Sequence, residues 1–545
     1  MKRREFLSSS LAAAAAGMAP RSARAQAAGD GSIDILIDEP IGRIAPEFHG
    51  QFTEHLGGCI YDGIWVGENS KIPNEGGIRK ELIDRMKQIE VPVDRWPGGC
   101  FADSYNWRDG IGPQADRPVR TNFWANTRQL WKAPDGPQKY EPNTFGTPEF
   151  MRFCQLAGAK PYMAGNVRSL TPFDFYEWVE YCNSPAGTTT LAKMRAADGS
   201  RDPYDVLYWG VGNESWGCGG NFLPEEYATE FRRYITWVAN FGMRLRFVAS
   251  GPGAAIDDPK VDWTRSLFEG IAAKGKGMFR RIFGLSLHYY CWTTGKGSSI
   301  DFDVPGWYQE LWQADAMDSL LPKHWEAMGE IDTEHHVKLV VDEWGAWHRG
   351  PSIAPSYLFS YPPSMRDALV SALTLDIFNR NAEKLAMCNN AQMINNINTL
   401  FLALEDRFAV TPIFWIFDMY KAHHGGHSLR IMVDAPSVSY TYEGNKRTLW
   451  GLAGSASLHE KAKKLVITVV NPNVKEPRTT EITLHGASAR SGRATVLTNA
   501  DIHAHNDFNH PNAVHPAEEP ANVSGSRFTW TFKPASVTKL EIDLA

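Results

Sequence analysis

The sequence is poor in features that mark several large classes of protein. Its 545 residues include only seven cysteines, scattered from Cys59 to Cys388. An odd, dispersed set in so long a chain is no disulfide framework, and the thiols are expected to be reduced. No Cys-x-x-Cys pair occurs, which argues against a zinc-finger type of site. Beyond its first residues the chain has no apolar run of about 18 residues, so no membrane span is expected. It also lacks a basic block, and its formal net charge is −6. Such a chain is a poor partner for nucleic acid or an anionic membrane. No Gly-x-Gly-x-x-Gly follows any strand-like run, so nothing marks a dinucleotide-binding sheet.

The first residues, MKRREFLSSSLAAAAAGMAPRSARAQA, place Arg3-Arg4 before Phe6-Leu7, an Ala-rich stretch and then Ala23-Arg24-Ala25. This order reads as a twin-arginine export signal over 1–25 and predicts a periplasmic or extracellular protein. Removing it takes away five basic residues and one acidic residue, so the charge becomes −6 − 4 = −10. Cargo of that pathway folds before export, which is consistent with reduced cysteines.

What is present is an ordinary globular balance, 43% hydrophobic and 22% charged, with a high aromatic share of 12% that includes 19 Trp. Either a large aromatic core or a carbohydrate cleft accounts for the rings. The length predicts two domains. Over 45–425, short apolar runs alternate with longer helical patterns. The runs include VPVD (91–94), KPYM (160–163), VLYW (206–209), RFVA (246–249), FGLSL (283–287) and KLVV (338–341). Helical patterns lie at 224–240 and 364–379; in the second, Met365, Ala368, Leu369, Ala372 and Leu375 recur at steps of three and four. Strand then helix, repeated, predicts an α/β fold of the (β/α)8 TIM-barrel type. From 426 to 545 the texture changes to short alternating runs such as KLVITVV (464–470) and FTWTF (528–532). These predict a C-terminal all-β sandwich, which IDILI (33–37) joins from 30–44. The His-, Asn- and Pro-rich stretch 503–515 is expected to be an exposed loop.

The chemistry concentrates where barrel strands end. In DVLYWGVGNESWG (205–217) a core strand runs out into Glu214, and in HVKLVVDEWGAWH (336–348) a strand at 337–341 runs out into Glu343. A buried carboxylate without a partner is costly, so each is either paired structurally or needed. Functional side chains of such barrels sit at the strand C-termini. Two carboxylates, each followed by Trp, suit glycoside hydrolysis: one protonates the leaving oxygen while the other attacks or stabilises the anomeric carbon. Structural pairing of both with barrel arginines is the bland alternative. A non-catalytic carbohydrate-binding protein would keep the aromatics without needing both acids. The run HHGGH (423–427) contains no carboxylate and is not read as a metal site.

Five motifs carry a more specific resemblance. These are GQFTEHLGGCIYDGI (50–64), DRWPGGCFADSYNWRDGIGP (94–113), YWGVGNESWGCGG (208–220), SLHYYCW (286–292) and DEWGAW (342–347). In order and spacing, across 39–429, they resemble the glycoside hydrolase family 51 α-L-arabinofuranosidases. The resemblance implies the same barrel-plus-sandwich fold and a retaining, exo-acting enzyme without metal or organic cofactor. Its substrate would be the arabinofuranose branches of arabinan or arabinoxylan. An endo-β-glucanase or β-xylosidase of the same fold is the alternative, and a homo-oligomer is compatible with the sequence. By resemblance Glu214 is the acid/base and Glu343 the nucleophile. Asn213 holds the sugar 2-OH, Glu54 and Gln392 bind further hydroxyls, and Trp124 and Trp347 wall the subsite. Tyr290 orients the nucleophile, with Arg95 and His288 in support. Cys100 stands where many relatives carry Asn after Pro-Gly-Gly, and a thiol is a poorer hydrogen-bond partner. NVRSLTP (166–172) replaces a Gly/Thr-rich loop, so a different leaving-group side is expected.

Overall fold

The computed structural model describes residues 31–292, 297–350 and 352–545. The export-signal reading of 1–25 therefore lies outside the described residues. Strand β1 (Gly31–Arg43) is followed by eight parallel strands. They are β2 (Gly50–Phe52), β3 (Val93–Trp96), β4 (Lys160–Gly165), β5 (Tyr208–Val211), β6 (Arg246–Ala249), β7 (Ile282–Trp292), β8 (Lys338–Trp347) and β9 (Leu385–Ala391). They close on themselves in chain order, β9 pairing with β2. Strands covered on both faces read as continuous apolar runs, and every residue of β3 and β5 is buried. Val93, Tyr162, Tyr208, Val248, Val340 and Met387, from six of the strands, pack together as an interior plug. The barrel is thus a filled core and not a pore.

The helical pattern at 364–379 is realised as Met365–Arg380, opened by Ser364 and Asp367 in a capping box. All of it except Arg380 is buried, because it is wedged between barrel and sandwich. There Asp376 accepts hydrogen bonds from Ser455 and Tyr420 at 2.7 and 3.0 Å. Burial pushes its carboxyl up to about 7. The pattern at 224–240 gives a shorter helix, Pro224–Ile235. It stops where the chain reverses at Trp237, whose φ is +59°.

The sandwich strands are β10 (His427–Asp434), β11 (Ala453–His459), β12 (Lys464–Asn471), β13 (Arg478–His485), β14 (Ala489–Thr498), β15 (Ala517–Ala521), β16 (Arg527–Phe532) and β17 (Ser536–Leu544). With β1 they form one continuous ladder, β15-β14-β17-β12-β11-β10-β1-β13-β16. It folds over a core that includes Ile33, Ile35, Ile467, Ile482, Phe532 and Leu540. The early strand β1 runs antiparallel to β10 and parallel to β13. The stretch 503–515 contains no strand, but it is not wholly exposed. Asn506 and Val514 are buried, the Asn506 amide donating to Val410 and Val514 carbonyls at 3.0 and 2.9 Å. No helix among the described residues is long and apolar enough to cross a membrane.

Candidate active site

Both carboxylates reach the barrel mouth, by different routes. Glu343 lies within β8, which continues to Trp347 instead of ending at 341 because β7 runs beside it and pairs with it as far as Trp292 and Trp347. Glu214 stands three residues beyond β5 with φ +38°, a left-handed conformation that is costly for a residue with a Cβ. The fold holds it there from both sides. The Asn213 amide donates to Asp103 Oδ2 at 3.0 Å and the Ser215 amide to Ser250 Oγ at 3.1 Å.

His288 sits between the two acids. Its Nδ1 is 3.1 Å from Glu214 Oε1 and 3.4 Å from Glu343 Oε2. Burial draws its pKa down, but the Glu343 charge and the Glu214 hydrogen bond outweigh burial, leaving it above 6.5. Glu343 accepts from Arg95 Nη1 at 2.8 Å and from the Tyr290 hydroxyl at 2.7 Å. Burial pushes the Glu343 carboxyl up; the charges of His288 and Arg95, and the hydrogen bonds from Arg95 and Tyr290, bring it below 4.5. It is therefore ionised at neutral pH. Arg95 also donates from Nη2 to Asn213 Oδ1 at 2.5 Å, so one guanidinium orients a residue of each strand end. His288 and one oxygen of each carboxylate lie within 4.8 Å of one another. That proximity fits the separation of about 5–5.5 Å seen in retaining glycosidases, not the about 6.5–9.5 Å that inversion needs for its water.

The Pro-Gly-Gly turn after β3 explains itself by close approach. A Cβ on Gly98, whose φ is +155°, would fall 2.5 Å from Glu54 Cγ, and one on Gly99 would fall 2.9 Å from Glu343 Oε1. Glu54 Oε1 accepts from the Phe101 amide at 2.9 Å and Trp124 Nε1 at 3.3 Å, and Oε2 accepts from Gln392 at 2.9 Å. Burial, aided by the Glu343 charge, pushes Glu54 up to about 7. The folded protein thus holds a proton here that the unfolded chain releases near 4.5, so its stability declines as pH rises from about 4.5 to about 7. The penalty, at most about 3 kcal/mol, is fully present above that window. Glu54→Gln is expected to raise Tm by a few degrees at pH 8 and to leave it unchanged at pH 4.5. Equal shifts at both pH values in a thermal-unfolding series would refute the assignment.

Trp347 lies edge-on to Tyr290 and to Phe359, each at 5.0 Å, and stacks on Trp292 at 4.4 Å. Trp292 and Trp216, 49% and 39% exposed, complete the rim. Trp292 was not singled out from the sequence; Trp216 was read there as the Trp that follows Glu214. Asp103 was also missed. It takes the Asn213 amide on one oxygen and the Val167 amide, at 2.8 Å, on the other. NVRSLTP thus braces the backbone that carries Glu214, since Arg168 Nε also donates to the Asp103 carbonyl at 3.0 Å. The cysteine reading needs correction. Cys100 is bonded to Cys218 in a disulfide, so it offers no thiol to a sugar, and only Cys59, Cys154, Cys182, Cys291 and Cys388 are free. A pairing across 118 residues arises from barrel closure and leaves no local pattern. His423, in the HHGGH run, is buried at the sandwich interface, bonded to Ser457 at 2.7 Å and Thr468 at 3.1 Å.

A closed (β/α)8 barrel with two carboxylates this close in an aromatic mouth defines a retaining glycoside hydrolase. Two family models match the chain, the α-L-arabinofuranosidase 1 domain over 85–265 and the α-L-arabinofuranosidase C-terminal domain over 342–536. An intracellular exo-α-L-arabinofuranosidase of Bacteroides ovatus is 37% identical over 494 residues, covering 89% of this chain and 90% of that protein. The crystal structure of the GH51 arabinofuranosidase from Xanthomonas axonopodis pv. citri superposes with a TM-score of 0.85 at 35% identity, over 94% of this chain and all of that one. The α-L-arabinofuranosidase from Thermotoga maritima, solved as an arabinose complex, gives 0.80 at 28% identity, with 94% and 100% covered. The chain belongs to the glycoside hydrolase family 51 α-L-arabinofuranosidases. The endo-β-glucanase and β-xylosidase alternatives are not favoured. The expectation of twin-arginine export is overturned: the Bacteroides relative is named intracellular, which points away from it. A basic, Ala-rich beginning is a compositional pattern and does not by itself establish export.

Proposed function

We propose that this enzyme removes terminal α-L-arabinofuranosyl groups from arabinan- or arabinoxylan-type chains by double displacement. Glu343 attacks the anomeric carbon while Glu214 gives its proton to the leaving oxygen. Glu214 then takes a proton from the water that releases arabinose. Asn213, held by Arg95, meets the 2-OH; Glu54 and Gln392, hydrogen-bonded to each other, meet the other hydroxyls beside Trp124. Exo action is supported by the name of the Bacteroides relative. The observation that carries the reading is His288 between two carboxylates of which one, Glu343, is held ionised.

The test is a panel of aryl glycosides. Nitrophenol release from the α-L-arabinofuranoside is expected to exceed that from the β-xylopyranoside and β-glucopyranoside by roughly a hundredfold or more in kcat/KM, since a polar pocket rejects sugars that leave its groups unpaired. Preference for either pyranoside would overturn the substrate assignment. Proton NMR of the first product should show the α-anomer; initial β-arabinose would mean inversion.

A further inference from the structure

We propose that the Cys100–Cys218 disulfide is a positioning element for Glu214, fixing the proton donor against both the sugar site and Glu343. The inference rests on the reading of Glu214 as acid/base. The bridge joins the Pro-Gly-Gly turn after β3 to the turn after β5, passing over β4 between them, with Cα atoms 5.5 Å apart. Gly99, next to Cys100, abuts Glu343, and Cys218 follows Glu214 by four residues. The bond therefore ties the surroundings of one acid to those of the other.

Its sulfurs also touch the donor itself. Cys100 Sγ and Cys218 Sγ lie 3.8 and 3.6 Å from Glu214 Oε2, and the Asn213 side-chain nitrogen, Nδ2, lies 3.8 Å from Cys218 Sγ. Disulfide sulfurs have no proton to donate, so the two contacts with Glu214 are packing contacts, while Asn213 Nδ2 points an N–H at a weak sulfur acceptor. Oε1 faces His288 at 3.1 Å, on the other side of the carboxyl. The carboxyl is clamped between an imidazole and a bridge that competes for none of its hydrogen bonds.

The segment needs such a clamp. Glu214 has a left-handed backbone, and 214–220 forms only turns, three of its residues being glycine. Local bonds such as Gly217 and Gly219 amides to the Glu214 carbonyl, at 2.8 and 3.1 Å, shape the turn. The Asn213 amide bond to Asp103 ties its start to the opposite loop, and the disulfide is the covalent tie further along it. Reduction would remove the covalent tie and place two S–H donors against Oε2. Thiols cannot approach as closely as bonded sulfurs, so the turn carrying Glu214 would move outward. A misplacement of about 1 Å costs on the order of a hundredfold in rate.

The signature is selective, because only poor leaving groups need the proton. The enzyme is assayed on an arabino-oligosaccharide and on 2,4-dinitrophenyl α-L-arabinofuranoside in three forms: as isolated, after native treatment with a phosphine, and as Cys100→Ser/Cys218→Ser. The phosphine takes one oxygen from water as the bridge gains two electrons and two protons, and thiol titration should count two new thiols. Expected is a loss of about ten- to a hundredfold in kcat/KM on the oligosaccharide, less than about twofold in kcat/KM on the dinitrophenyl glycoside, whose glycosylation step needs no proton, and recovery on reoxidation. No loss, or equal losses on both substrates, would overturn the inference. If the bridge resists the phosphine or the serine variant does not fold, Cys100→Ala/Cys218→Ala carries the same comparison. Glu214→Ala, run in parallel, separates the two claims. If it shows no leaving-group dependence, the acid/base reading is at fault; if it does while the bridge variants do not, only the positioning role fails.

Discussion

Glu343→Ala is expected to lose turnover on every α-L-arabinofuranoside, activated or not, by on the order of 10⁴-fold or more in kcat. No other group can take its place. Arg95 and the Tyr290 hydroxyl converge on this carboxylate at 2.8 and 2.7 Å, and His288 stands 3.4 Å away. All three favour its charge, which is what an attacking oxygen requires. Because its pKa is held below 4.5, ionisation of Glu343 supports both attack and folding above that value, and both decline as pH falls through the depressed value. The measurement is kcat on the dinitrophenyl glycoside, with thermal unfolding to check the fold. Residual turnover near the wild-type rate would remove Glu343 from the chemistry. Added azide meets the intact substrate in this variant and inverts it once, so any azide product should be the β-glycosyl azide.

Glu214→Ala should behave differently. The loss on natural substrates is expected at about 10²–10⁴-fold, the worth of a positioned proton donor. The dinitrophenyl glycoside, which leaves without a proton, should still form the glycosyl-enzyme on Glu343. Hydrolysis of that intermediate then lacks its base, so it accumulates and apparent KM falls. Azide needs no base and should restore turnover. It attacks an intermediate already inverted once, so the product should be the α-glycosyl azide, with net retention. Obtaining the β-azide here and the α-azide from Glu343→Ala would mean that the two roles are exchanged.

Much of this was legible in the chain because it is encoded locally. Apolar runs of strand length, separated by patterns of period 3.6, imply a parallel barrel since each strand must be buried on both faces. A carboxylate just past such a run must lie at the mouth, which is why Glu214 and Glu343 stood out before any coordinates. The family motifs added Arg95, Asn213, Tyr290 and Glu54 to the expected site, and the wider resemblance added Gln392. What the sequence could not determine is set by contacts between segments far apart along the chain. The Cys100–Cys218 bond, the Asp103 carboxylate beneath Asn213 and the place of His288 between two acids all depend on loops that only barrel closure brings together. The proton on Glu54 is likewise a tertiary property, because its pKa responds to burial and to a carboxylate that lies 289 positions further along the chain. Helix and strand periods follow from each residue's near neighbours, whereas desolvation, charge coupling and covalent pairing follow from distances that exist only in the folded state.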